Sequence, residues 1–219
     1  AETLTIANAG TTDVQLAGGF TGAVKYTANG TVTLADTKVI TGAITTTSGG
    51  ADGVNGGKLV IKLSGEVAGA IGTAANRLDT VQLTGAGNLH LSTVKANHYA
   101  RQFLLKDNAA ILKVAAGGVI HGNAVANANG NGVVRFLGAG EFDGRIGDGP
   151  AGNGLAMFEA NGAGIVKVGA GDHKAAVFEL TNGASEFEFA SGANLTANIN
   201  NASGGANNTK VKFTGSGSV

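Results

Sequence analysis

The densest run of groups able to do acid–base chemistry is GAGEFDGRIGDG, where Glu141, Asp143 and Asp148 surround Arg145. A pair of carboxylates beside a guanidinium is the minimum set for cleaving a glycosidic bond or for metal-assisted proton abstraction. On extended backbone Glu141 and Asp143 share one face while Phe142 points to the other. With Phe142 as the inward residue, both carboxylates become solvent-facing decoration, and the alternation favours that reading over a catalytic one. Glu186 and Glu188 flank Phe187 in the same manner. The histidines, His90, His98, His121 and His173, are scattered and form neither HExxH nor a paired-ligand spacing, so no metal centre is predicted. SGGADGVNGG lacks the order of a glycine and aspartate calcium repeat and leaves Asp52 alone. The GxG phrase in the acidic run has no strand and helix around it to cradle a phosphate. No catalytic residue and no cofactor are expected.

Groups suited to contact rather than catalysis gather in KANHYARQ. Lys95, His98, Tyr99 and Arg101 set cations beside an aromatic ring in a segment that interrupts small-residue sequence. Tyrosine and arginine are favoured at recognition sites, so a projecting contact patch is one expectation. A slightly long corner whose Tyr99 covers the core edge is the other. Threonine pieces such as TLTI and TVTL would need to stack at one position to build an ice-binding face, and the later sequence does not supply them.

The elements that must hold these residues are short strands. Among 219 residues there are 38 Gly, one Pro and no Trp, with 14% charged and 43% apolar residues, the latter largely Ala and Val. Fifteen basic residues balance 15 acidic ones, and the apolar residues recur at spacing two, so the chain is expected to fold rather than stay disordered. Zero net charge gives no long-range attraction to nucleic acid or anionic lipid. The absence of Cys fits a cytosolic protein or an exported bacterial one stabilised by stacking instead of disulfides.

One phrase organises the chain. VQLTGAG, VRFLGAG and VKFTGSG start at Val81, Val134 and Val211, hence 53 and 77 residues apart. Further turn-like Gly or Asn positions at Asn29, Gly65, Asn108, Asn161 and Asn182 extend the series to a period of about 27. Strands this short are stable only when stacked about 4.8 Å apart, each hydrogen-bonded to the rungs above and below. Gly and Asn suit the corners, and Ala, Val and Leu fit a narrow interior. The expected fold is all-β, a right-handed parallel β-helix (solenoid) of roughly eight rungs, with an antiparallel sandwich as the alternative. Residues 1–219 read as one β-helix passenger domain or a segment of one. Three Gly- and Asn-rich stretches, 48–57, 121–132 and 200–208, read as solvated loops.

VQLTGAGNLHL, VRFLGAG, VKFTGSG and, most specifically, GAIGTAANRLDTVQLTGAG resemble the passenger regions of rickettsial surface cell antigens, the outer-membrane autotransporter adhesins. The resemblance is of phrase and composition across most of the chain and brings no catalytic residues. It implies a passenger exported through both membranes, displayed on the bacterial surface and used in attachment to a host-cell receptor or glycan. It also implies a translocator barrel elsewhere in a full-length chain, since neither a signal peptide nor C-terminal barrel strands are present here. A β-helix carbohydrate-active enzyme, with Glu141, Asp143, Arg145 and Asp148 as its site, is the competing class. A coil segment with open strand edges is further expected to self-associate end to end.

Overall fold

Parallel pairing decides this chain's shape, because each stretch of strand bonds to the stretch one turn away in sequence. The computed structural model describes residues 2–7, 13–147, 152–204 and 209–219, which form nineteen strands and no helix. The strands wind into a parallel β-solenoid of about 9 turns, in keeping with the roughly eight rungs expected. Each turn crosses three faces. The first holds Glu2–Ile6, Gly22–Tyr26, Ile44–Thr46, Gly140–Asp143, Gly164–Val168, Ser185–Phe189 and Lys210–Phe213. The second begins with Asp13–Leu16 and Thr31–Leu34, and the third holds Lys38–Ile40, Ile111–Val114, Asn131–Phe136 and Leu155–Ala160. Long strands such as Lys58–Val67, Leu78–Leu91 and Asn97–Leu105 bend over a corner and serve two faces.

The registers revise the repeat. On the third face Leu89, Leu112, Val134, Phe158 and Phe178 stack in one column, which makes the turn about 22 residues long rather than 27. The three copies of the phrase also lie on different faces: VQL on the second, VRF on the third and VKF on the first. Their spacings therefore combine whole turns with a third of a turn. The phrase recurs because every strand that enters a corner meets the same local problem, whichever corner it is.

Side chains of one parity enter a single apolar column running from Ile6 to Leu195. The inward position of the second face is filled by Leu59, Val81 and Phe103 on successive rungs and then drops to Ala124. Phenylalanines on the other two faces fill the space so released. Phe136, Phe142, Phe158, Phe178, Phe187 and Phe189 are all fully buried, and Phe158 has four of these rings within 5.9 Å, centroid to centroid. Such exchange of volume between facing positions keeps interior density constant.

Corners are closed by polar side chains acting on backbone carbonyls. Thr84 donates to Ile61 O at 3.2 Å, Thr214 to Phe189 O at 3.1 Å and Asn131 Nδ2 to Lys106 O at 3.0 Å. The stretch expected as a loop at 121–132 is mostly strand, since Val119–Ala126 and Asn131–Phe136 take in all of it but the turn at 127–130. Its small residues belong inside: Ala124 stacks on Phe103 and Ala126 on Leu105. Gly122 also lies here with φ of 148°, and a Cβ added to it would sit 1.9 Å from the Ala100 carbonyl oxygen. By contrast 48–57 is a turn region, in which Asp52 accepts a hydrogen bond from the Val54 amide at 3.0 Å. Of the third predicted loop, residues 205–208 lie outside the described residues.

Among the outward-facing charges one carboxylate is deeply covered. Glu159 is 2% exposed and accepts from Arg135 Nε at 2.5 Å, Asn161 Nδ2 at 2.8 Å and Thr181 Oγ1 at 3.1 Å. Removing the cation would leave a buried charge held by neutral donors alone. Arg135→Met is expected to lower the unfolding free energy by about 2 kcal/mol in urea denaturation at neutral pH.

Candidate functional site

The strand Asn97–Leu105 carries most of the predicted contact patch and sorts it by parity. Asn97, Tyr99 and Arg101 point outward, whereas His98 points into the core between Ile71 and Ile120. His98 is 0% exposed, and neither ring nitrogen has a hydrogen-bond partner among the described residues. Burial, with a smaller contribution from nearby His121, pushes its pKa down to about 4. The sequence reading that set His98 beside Tyr99 at the surface is corrected by the pleat itself: adjacent residues in a strand face opposite ways. Lys95 lies at the preceding corner, exposed and with a left-handed φ of 58°, its amide donating to Ala116 O at 3.1 Å.

Around Tyr99 the stacking of rungs assembles partners from other turns. Its ring lies on the imidazole of His121, one rung on, with centroids 4.2 Å apart and planes within 5°. From the rung before, the Arg77 guanidinium lies 5.7 Å from the Tyr99 ring centroid. His121 Nδ1 is 2.9 Å from Asp143 Oδ2, and its Nε2 is 3.3 Å from Asn97 Oδ1. Arg101 Nε donates to Asp79 Oδ1 at 2.6 Å. The result is a tier of planar side chains, Arg77, Tyr99, His121 and Asp143, climbing four successive rungs beside the Arg101 and Asp79 pair. Such a tier is rigid and partly exposed, with an apolar ring edge and charged groups at both ends, which is the composition of a recognition surface.

The acidic run is divided by the fold. Glu141 and Asp143 both face outward as the alternation required, with Phe142 fully buried between them. Asp143 belongs to the tier, while Glu141 stands in a second outward column with Lys167, Glu188 and Lys212 on the following rungs. Lys212 Nζ donates to Glu188 Oε2 at 2.9 Å, and this bond holds the Glu188 carboxyl below its usual range. Glu186 likewise sits beside Lys210. The Arg145 amide donates to Asn123 Oδ1 at 3.0 Å, and Asp148 lies outside the described residues. The described carboxylates of the run are thus members of cross-rung polar columns, and no concave site gathers Glu141, Asp143 and Arg145 together. No group of three or more His, Asp or Glu among the described residues is placed to hold a metal ion.

Arg77, Asp79, His121 and Asp143 were not in the predicted patch. Arg77, Tyr99, His121 and Asp143 are spaced 22 residues apart, and that interval, once known to be the turn, identifies the tier directly.

By fold and surface the molecule is a parallel β-solenoid whose outer faces present laddered side chains. No protein-family model and no solved structure matches it. It is 35% identical over 191 residues to Outer membrane protein A of Rickettsia rickettsii, an alignment covering 83% of this chain. The chain spans 8% of the length of that relative, so the likeness is to one part of a much longer rickettsial outer-membrane protein.

Proposed function

We propose that this chain is a non-enzymatic segment of a bacterial cell-surface passenger, serving attachment to host cells. The observation that carries the reading is the tier at Arg77, Tyr99, His121 and Asp143, a rigid contact surface that combines aromatic and charged groups and opens onto no enclosed cleft. The similarity to a rickettsial outer-membrane protein supports placement at the outer membrane and display outside the cell. Export through a translocator barrel encoded elsewhere in a full-length chain goes with this proposal, and the partner is a host-cell receptor or glycan.

The test is binding of the purified segment to cultured host cells, with and without changes at the tier. Tyr99→Ala combined with Arg101→Ala is expected to weaken saturable binding at least fivefold, as loss of an aromatic and arginine anchor does elsewhere. Unchanged binding by the folded double variant would move the contact surface off this tier.

The terminal coils carry a second expectation. At the C-terminal end Ile199 and Val211 are 37% and 36% exposed, and the backbone edges of residues 198–201 and of Lys210–Phe213 have no following rung among the described residues. Open edges template pairing with another chain. The isolated segment is expected to form concentration-dependent dimers or longer end-to-end assemblies in sedimentation experiments, and a single monomer boundary over a hundredfold concentration range would refute this.

A further inference from the structure

We infer that a groove on the third face, between the second and fifth turns, is a binding site for a short acidic oligosaccharide. The groove has a volume of about 310 Å³, near the lower end of the range for small-ligand sites. Its walls include Lys38, Glu66, Asn88, His90 and Lys113, with the hydroxyl side chain of Ser64 at its mouth.

Two outward columns of the third face explain why a ligand is called for here. In one of them Glu66, His90, Lys113, Arg135, Glu159 and Glu179 follow each other rung by rung. Beyond the groove this column is internally matched: Arg135 is bonded to Glu159, and Glu179 accepts from Asn200 at 2.8 Å. Inside the groove it is not. Among the described residues the side chains of His90 and Lys113 in this column, and of Lys38 one register position away on the rung before Glu66, have no hydrogen-bond or ion-pair partner. Glu66, the groove's own acid, is already engaged by Ser92 Oγ at 2.6 Å. The neighbouring Asp36 carboxylate is likewise engaged, by the Ser64 amide at 2.9 Å. The site thus offers two unpaired ammonium groups and an imidazole, and its two nearby carboxylates, though still charged, each already accept a hydrogen bond from a neutral donor and pair with neither lysine.

The other column supplies a complementary group. Asn88 lines the groove, and its buried Oδ1 has no donor among the described residues, an unsatisfied acceptor that a small rotation of the amide would present to a ligand hydroxyl. Two corners at the groove also hold non-glycine residues in left-handed backbone, Thr37 at φ 59° and Leu63 at φ 57°. Thr37 lines the groove and Leu63 adjoins Ser64. Backbone strain of this kind, on a β-branched residue above all, is retained where it shapes a functional surface.

Size and chemistry then choose the ligand class. Lys38 and Lys113 lie three rung spacings apart, about 14 Å at the strand separation of stacked coils. A simple inorganic anion cannot reach both ends, whereas a chain of two or three sugar rings bearing a carboxylate does so and carries hydroxyls for Asn88 and Ser64. The larger groove near the C-terminal end, about 410 Å³, lacks these features. Half of its lining residues are Gly or Ala, and its one charged side chain, Lys174, already donates to Gly152 O at 2.7 Å.

As a biological role this inference rests on the attachment reading, but its chemistry is tested separately. Calorimetric titration would compare sialyllactose and a hyaluronan tetrasaccharide with neutral lactose and with inorganic phosphate, using wild type and the double variant Lys38→Gln, Lys113→Gln. Thermal melting would confirm that the variant is folded. At least one acidic sugar is expected to bind tenfold or more tighter than lactose, to weaken as salt rises, and to lose at least tenfold in the variant. Phosphate is expected to compete only weakly. Equal affinity for lactose, phosphate binding as tight as the sugar, no binding of either acidic sugar, or an unchanged variant would each overturn the inference. Cell binding without sugar binding would overturn the groove and leave attachment standing. Sugar binding without cell binding would do the reverse.

Discussion

Phe158→Ala is expected to lower the unfolding free energy by about 4 kcal/mol, the largest loss available to a single core truncation in this chain. Phe158 is fully buried and is the ring that joins Phe136, Phe142, Phe178 and Phe187 across successive turns. Removing it leaves a cavity that backbone locked into rung-to-rung hydrogen bonds cannot collapse around. Because each turn of a solenoid touches only its neighbours, the damage should stay local. Hydrogen exchange is expected to rise in the turns from Asn131–Phe136 to Ser185–Phe189 and to change little around Val24 and Val32. Urea denaturation followed by circular dichroism gives the magnitude. A loss below about 1 kcal/mol, or a uniform rise in exchange, would mean that the phenylalanine column is not what binds these turns together.

Acidification is expected to destabilise the fold through His98. Its imidazole is held neutral in the core, with a folded pKa near 4 against 6.5 for the free side chain. The unfolded chain therefore takes up a proton at a higher pH than the folded chain does. Stability from this group is fully present above about pH 6.5, falls as the pH drops and levels off below about pH 4, for a total of about 3 kcal/mol. His173, whose pKa burial also lowers, adds to the loss with the same sign. Its register neighbours are the apolar Ile71 and Ile120, and the nearby His121 adds to the lowering of its pKa. His98→Leu is expected to be more stable than wild type at pH 7, since two unpartnered buried nitrogens disappear, and to lose most of the acid sensitivity. Urea midpoints of both proteins at pH 7 and pH 4.5 decide the matter. An equal drop in the two would place the acid sensitivity elsewhere.

The fold class was legible because alternation and corner residues are local signals. Phe142 between Glu141 and Asp143 reads as inward from three residues alone, and the structure buries it. The length of the turn was obscured by repetition of the corner phrase itself. VQLTGAG, VRFLGAG and VKFTGSG are one local solution used at three different corners, so aligning them as equivalents gave a period near 27 instead of 22. That error hid the tier, since Arg77, Tyr99, His121 and Asp143 coincide only at the shorter interval. It also turned 121–132 into a loop, because Gly122, Ala124 and Ala126 look like spacer residues until Phe103 and Leu105 are known to lie beneath them. The unpartnered state of Lys38, His90 and Lys113 depends on side chains from four turns and has no sequence signature of its own.

The most direct measurement is a paired assay of the purified segment: saturation binding to host cells, and incubation with a panel of polysaccharides followed for both retention and cleavage. Saturable cell binding with no polysaccharide turnover is the predicted result, and it supports a displayed segment that acts by contact. Turnover of any polysaccharide, or absence of saturable binding by the folded segment, would contradict it.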